Sequence, residues 1–150
     1  MATFKHELGY EFELADSWTQ IKKEEYEKYN IPERYTNYMA NFELQKEFYI
    51  VFDGYLKEST LEEFFNLCVS NMVKAGMTIF SEEKFVGVCK SGKIEAHKTY
   101  AQFPNGFKQT SYFFKLNKEG AVGCITIPVK ENHDENEAII VGVLNSWNYL

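Results

Sequence analysis

Three alternating runs joined by short turn signals constrain this chain more than any other feature. Residues 94–103 and 107–116 flank Pro104-Asn105-Gly106. Asn-Gly between alternating segments is a strong hairpin signal, because both residues tolerate the positive φ that tight turns demand. A second turn, Asn117-Lys118-Glu119-Gly120, leads into 122–129, where Ile125, Ile127 and Val129 share a face. Strands connected this tightly have room only to run antiparallel. The spacing therefore predicts a three-stranded meander at the centre of the fold.

Other runs extend the sheet. Residues 47–53 place Phe48, Ile50 and Phe52 on one face and Tyr49 and Val51 on the other, and 36–44 reads as the neighbouring strand. Residues 79–88 are apolar at both ends, interrupted by Ser81-Glu82-Glu83-Lys84, with a turn expected at Ser91-Gly92-Lys93. Near the start, residues 10–14 alternate and run into Trp18.

The clearest helix spans 60–75. Ser59 stands as N-cap with Glu62 three residues on, the pattern of a capping box. Leu61, Phe64, Phe65, Cys68, Val69 and Met72 then form one apolar stripe, and Gly76 supplies the left-handed residue that ends it. At the C-terminal end Asp134 is the expected cap, with Glu137 at the third position, for a stripe of Ile140, Val143, Leu144 and Trp147. The β-branched residues 139–141 leave a strand over 138–144 as the alternative. The Lys- and Glu-rich stretch 20–29 reads as a short solvated helix or irregular excursion, closed by Ile31-Pro32. Together these elements describe a single α+β domain over residues 1–150, a mostly antiparallel β-sheet flanked by helices.

Composition narrows the function. The net charge is −6, and of sixteen basic residues only Arg34 is an arginine. Phosphate recognition needs a concentrated positive field and favours guanidinium, so nucleic acid is not the expected partner. No apolar run reaches the ~18 residues of a membrane span, and the first residues lack the apolar stretch of a signal peptide. Cys68, Cys89 and Cys124 are odd in number and widely spaced, which points to reduced thiols and a cytoplasmic location.

No set of residues demands a chemistry. His6, His97 and His133 are isolated, with no cysteine at zinc-ligand spacing. His97 reads as a cross-strand residue. His133 lies between Glu131 and Asp134, which lack the regular oxygen spacing of a calcium loop. Cys68 falls on the helical stripe, Cys124 on the strand face opposite Ile125 and Ile127, and Cys89 beside Lys90 near a turn. A Cys124–His97 pair across neighbouring strands would lack an orienting group and an oxyanion hole. The expectation is no catalytic residue, no cofactor and no metal.

With this order of elements the chain resembles the PsbP-like and DcrB-like superfamily, which also includes the small Ran-binding nuclear import factor. The matching stretches are Leu14-Ala15-Asp16-Ser17-Trp18 after the first strand, with Ala15 where the family often carries Pro, and Ser59-Thr60-Leu61-Glu62-Glu63-Phe64 opening the helix. Gly76, the meander and Ser146 at the close of the last helix complete the pattern. The resemblance implies a non-enzymatic sandwich that binds other proteins, and its cytoplasmic members imply a homodimeric chaperone or adaptor shielding an apolar segment. The rival reading is a small-molecule or lipid-binding protein with a pocket between sheet and helix.

Aromatic surface remains as the means of binding. Tyr49 and Tyr100 are expected to share the less apolar sheet face and, with Tyr112, to offer amphipathic contact area. Trp18 is expected chiefly to brace the first strand and is counted with them as a partner-binding residue. Tyr26, Tyr29, Tyr35 and Tyr38 form a second, competing aromatic stretch.

Overall fold

The computed structural model describes residues 1–129 and 133–150, less the side chains of 133 and 134. The cap expected at Asp134 and the cation reading of Glu131 and His133 therefore lie outside the described residues. Two sheets form the frame. The small one has the order β1 (Ala2–His6), β2 (Tyr10–Leu14), β10 (Asn148–Tyr149). The large one contains β3 (Thr19–Ile21), β4 (Tyr35–Asn41), β5 (Lys46–Tyr55), β6 (Thr78–Cys89), β7 (Gly92–Gln102), β8 (Lys108–Lys115) and β9 (Ala121–Pro128), in the order β3-β4-β5-β9-β8-β7-β6. Every pairing is antiparallel. The helices are α1 (Leu61–Lys74) and α2 (His133–Ser146).

The predicted meander is β7-β8-β9, and it is longer than expected because β6 also joins it. Ser81–Lys84 does not interrupt that strand: Glu82 pairs with Thr99 and Lys84 with His97. At an edge, one side of the strand faces solvent and tolerates charge. The turn before β7 is Lys90-Ser91, one residue earlier than predicted. Helix α1 likewise begins one residue late. Thr60, not Ser59, is its N-cap, accepting from the Glu63 amide at 3.1 Å while its hydroxyl meets Glu63 Oε1 at 3.3 Å. Gly76, at φ 84, closes the helix, with its amide on the Val73 carbonyl and the Met77 amide on the Met72 carbonyl.

The final segment is a helix, and its stripe explains why. Ile140, Val143, Leu144 and Trp147 are all fully buried in one core with Tyr10, Phe12, Phe48, Ile50, Phe114 and Ile125. This core fills the space between the small sheet with α2 and one face of the large sheet. Trp147 sits at its centre, stacked on Tyr10 at 4.5 Å and edge-on to Phe114 at 4.8 Å, with its indole N–H on the Leu116 carbonyl at 3.0 Å. Lys98 on β7 pairs with Glu137 on α2, and the Tyr10 hydroxyl donates to Asn37 on β4.

Residues 20–29 are less solvated than predicted. They hold β3 and a 3-10 turn at Lys23–Glu25. Tyr26 is 3% exposed, packed with Ile21, Ile31 and Ala40, and its hydroxyl donates to the Tyr35 carbonyl at 3.0 Å. Alternation alone hid this small second core, because its apolar residues are scattered among charges.

Candidate functional site

The site follows from how unequally the two faces of the large sheet are covered. Cross-strand partners share a face, so register assigns every side chain. Phe48, Ile50, Tyr112, Phe114, Ile125 and Ile127 face the main core. Tyr49, Val51, Phe113, Cys124, Thr126 and Ser111 face the other way. On that second face α1 lays Phe64 and Phe65 over Phe113, Val122 and Cys124. The 22–34 excursion packs Tyr26 and Ile31 over the far edge, against Ala40, Tyr35 and Tyr38. Between these two walls the sheet face is only partly covered: Tyr49 and Val51 are half-buried, and Ser111 and Thr126 lie buried beneath their neighbours.

This strip is a groove. Among the described residues it comprises three adjoining clefts of about 410, 220 and 350 Å³. The first runs beside α1 and shares Asp53, Cys68 and Asn71 with the second. The second shares Tyr35, Tyr49, Phe103 and Gln109 with the third. Tyr35 and Tyr49 stand at that junction with ring centroids 4.0 Å apart and planes within 4°. Tyr38 flanks both, at 6.3 and 6.2 Å.

A β-bulge creates this cluster. Tyr35 pairs with Val51, but Asn37 pairs with Ile50, so Thr36 is an extra residue in β4. Strict alternation would send Tyr35 and Tyr38 to opposite faces; the bulge turns both to the groove. Thr36 is held by accepting the Phe52 amide on its hydroxyl at 2.9 Å.

The floor is polar and internally bonded. Ser111 and Thr126 hydroxyls lie 2.8 Å apart, with Cys124 Sγ 3.6 Å from Thr126 and Gln109 donating to Ser111 at 3.4 Å. Burial pushes the Tyr49 phenol well above its ordinary range, and the Tyr35 phenol beside it adds to the effect. Burial also raises Tyr38, reinforced by its hydrogen bond to Glu47. Asp53 is raised by desolvation, opposed by Arg34. Arg34 lies over the Tyr35 ring, its guanidinium carbon 5.4 Å from the ring centroid.

The two thiols that line the groove are not activated as nucleophiles. Burial raises the Cys68 thiol well above its usual range and pushes Cys124 up to about 12, so neither supplies thiolate near neutrality. His97 does not adjoin Cys124: β8 lies between them, with Phe113 paired to both. Instead His97 stacks on Phe65 at 5.1 Å and meets Glu82 at 3.1 Å. Cys89 is buried against the main core. Among the described residues no group of three or more His, Cys, Asp or Glu is placed to hold a metal ion, and no helix is long and apolar enough to cross a membrane.

Of the residues expected to bind a partner, the structure places only Tyr49 in the groove. Tyr100 pairs with Thr110, which pairs with Ile127, and so lies on the opposite face, beside Phe80 at 5.2 Å. The expectation that Tyr49 and Tyr100 share a face is therefore corrected. Tyr112 is 1% exposed in the main core and meets Phe85 edge-on, and Trp18 is buried against Phe48 at 5.2 Å. Neither has surface to offer. The two competing aromatic surfaces are one, because Tyr35 and Tyr38 gather around Tyr49. Sequence reasoning missed Arg34, Asp53, Phe103 and the Ser111–Thr126 pair as members of the site.

No protein-family model matches the chain. No curated protein matches it either. Among solved structures it is similar to the solution structure of cyanobacterial PsbP (CyanoP) from Synechocystis sp. PCC 6803. The TM-score is 0.64 at 9% identity, over 99% of this chain and 92% of that one. The two share the PsbP-like α+β fold.

Proposed function

We propose that this is a non-enzymatic protein-binding domain whose working surface is the groove between α1 and the 22–34 excursion, where an extended segment of a partner lies against the sheet. The observation that carries the reading is the Tyr35–Tyr49 stack, which stands where two of the clefts meet. Stacked phenols give rigid apolar area with polar tips at little conformational cost, the property that enriches Tyr at binding surfaces. The likeness in fold to CyanoP supports a binding role by analogy. Within this proposal stand the wider kinship with DcrB-like proteins and the Ran-binding import factor, the chaperone or adaptor role, the homodimer and the cytoplasmic location. The rival small-molecule reading would use the cleft of about 410 Å³ between α1 and the β5–β9 pair, since beneath the helix itself Phe64 meets Phe113 edge-on at 6.3 Å and Phe65 covers His97.

Site-specific photocrosslinking tests the reading. Benzoylphenylalanine at position 49 should form adducts with a partner protein in the native host, whereas the same group at position 100 should not. Tyr35→Ala with Tyr49→Ala should abolish capture by a probe placed at Phe103 while leaving a cooperative melt. Equal adducts from positions 49 and 100 would sink the proposal.

A further inference from the structure

The turn between β1 and β2 is held by a side chain that titrates. The Leu8 amide donates to His6 Nδ1 at 3.1 Å, a bond that only an unprotonated ring nitrogen can accept. The imidazole proton then sits on Nε2. The ring is half-buried and stacks on Tyr10, with centroids 5.2 Å apart and planes within 9°.

This turn is also a junction between distant parts of the chain. The Gly9 amide returns to the His6 carbonyl at 3.0 Å, with Gly9 at φ 100. The Leu8 carbonyl accepts Asn117 Nδ2 at 2.7 Å, and Asn117 Oδ1 accepts the Ala121 amide at 2.9 Å in the turn between β8 and β9. The Gly9 carbonyl accepts the Leu150 amide at 3.0 Å, one residue beyond β10. Since β10 sets only Asn148 and Tyr149 against β2, that bond adds materially to a short pairing.

We propose that the His6 turn is an acid-sensitive latch on the strand that follows α2. Protonation at Nδ1 converts the acceptor of the Leu8 amide into a second donor, the turn opens, and Leu150 loses its hold on Gly9. The surroundings of the ring set the pH at which this happens. Desolvation lowers the His6 pKa from 6.5; Glu7, in the turn itself, favours protonation, and Lys23, from the 3-10 turn, opposes it. The phenols of Tyr10 and of Tyr26 beside it are raised by burial and stay neutral throughout. The latch is therefore closed above 6.5 and opens as the pH falls through the lowered value.

NMR on the intact protein tests the latch. Long-range proton–nitrogen correlations should show Nδ1 unprotonated at neutral pH, and the ring C–H shifts give the His6 midpoint. Below that midpoint, hydrogen-exchange protection of the Leu8 and Leu150 amides, corrected for intrinsic exchange, should fall about fivefold, the worth of one typical hydrogen bond. The Ile125 amide shift, in the middle of the large sheet, should stay put and show that the protein remains folded. His6→Asn places an acceptor at the same point along the side chain but does not titrate, so its protection should be kept on both sides of the midpoint. His6→Ala should show the low protection at both. A ring protonated on Nδ1 at neutral pH would overturn the proposal, as would unchanged protection while His6 titrates. An equal loss in His6→Asn would place the cause on another group, and full protection in His6→Ala would show that the ring does not hold the turn; either result overturns the latch.

Discussion

Replacing Trp147 with Phe should cost about 2–4 kcal/mol, far more than its position three residues before Leu150 suggests. The indole N–H meets the Leu116 carbonyl at 3.0 Å in a fully buried setting. Phe leaves that carbonyl unpaired, a penalty of about 1–3 kcal/mol. The lost ring volume of ~40 Å³ adds about 1 kcal/mol at the cost per volume of an unfilled cavity. Stacking on Tyr10 at 4.5 Å and Phe12 at 5.6 Å is partly kept, because Phe retains a ring. A chain of this size has a total stability of roughly 8–20 kcal/mol, so the variant should fold. Urea unfolding followed by far-UV circular dichroism measures the loss, with Trp18→Phe as comparison. Trp18 is 7% exposed and has Phe48 at 5.2 Å, and about 1 kcal/mol is expected there from the same volume term. If the two variants lose equal stability, the indole–carbonyl bond is not what anchors the end of α2.

Gly123→Ala should be more damaging than its single methyl implies, by about 3 kcal/mol. A Cβ there would lie 1.9 Å from the Val51 carbonyl oxygen and 3.0 Å from Leu116 Cδ1, so the β5–β9 ladder must open. A melt within 2 °C of the parent would show that the ladder yields freely. Stability should fall as the pH drops below 6.5, and His6→Gln should flatten that slope. Desolvation lowers the His6 pKa, so the neutral ring is favoured in the fold. Its contribution is full above the unfolded value and lost as the pH falls through the lowered one. Parallel slopes in the two proteins would remove His6 as the cause. Cys68 and Cys124, raised by burial, should react with Ellman's reagent slowly in the native state and fully in urea; fast native labelling of either would contradict their desolvation. Thr60→Ala should cost about 1 kcal/mol and Ser59→Ala nearly nothing, since the cap is Thr60; a reversed order would place the cap back at Ser59.

What could be read from sequence was whatever repeats with a fixed period. The α1 stripe, the β7-β8-β9 meander and the buried line Ile140, Val143, Leu144 and Trp147 all announce themselves by spacing, because packing on one face enforces it. What could not be read depends on single residues that break the period. The bulge at Thr36 reverses the side to which Tyr35 points, and no local pattern in Tyr35-Thr36-Asn37-Tyr38 requires it. β10 escaped because its pairing is long-range: it joins β2 across most of the chain, Tyr149 against Tyr10. Tyr112 was misjudged for a related reason. Alternation separates the two faces of β8, but only the position of α2 and the small sheet decides which face is sealed.

That asymmetry of cover also explains why a groove exists at all. A sheet of seven strands is about 29 Å across at roughly 4.8 Å per strand. Helix α1, fourteen residues long, measures about 21 by 10 Å, so it cannot roof the face it packs on. Most of the opposite face has α2 and a three-stranded sheet over it, and the side chains beneath them form the apolar, buried main core. On the α1 face the partly covered stretch must tolerate water, and its outer residues are those that do, half-buried tyrosines, Gln109 and exposed Asp53, above the buried and mutually bonded Ser111 and Thr126. The 22–34 excursion does not finish the roof, because its own apolar residues Tyr26 and Ile31 are spent on the β3–β4 edge. A longer α1, or an excursion with two more apolar residues, would close the face and leave an ordinary core. The chain instead keeps half-buried rings at the boundary between roof and water, which is where an extended segment can gain apolar contact without the protein having to open.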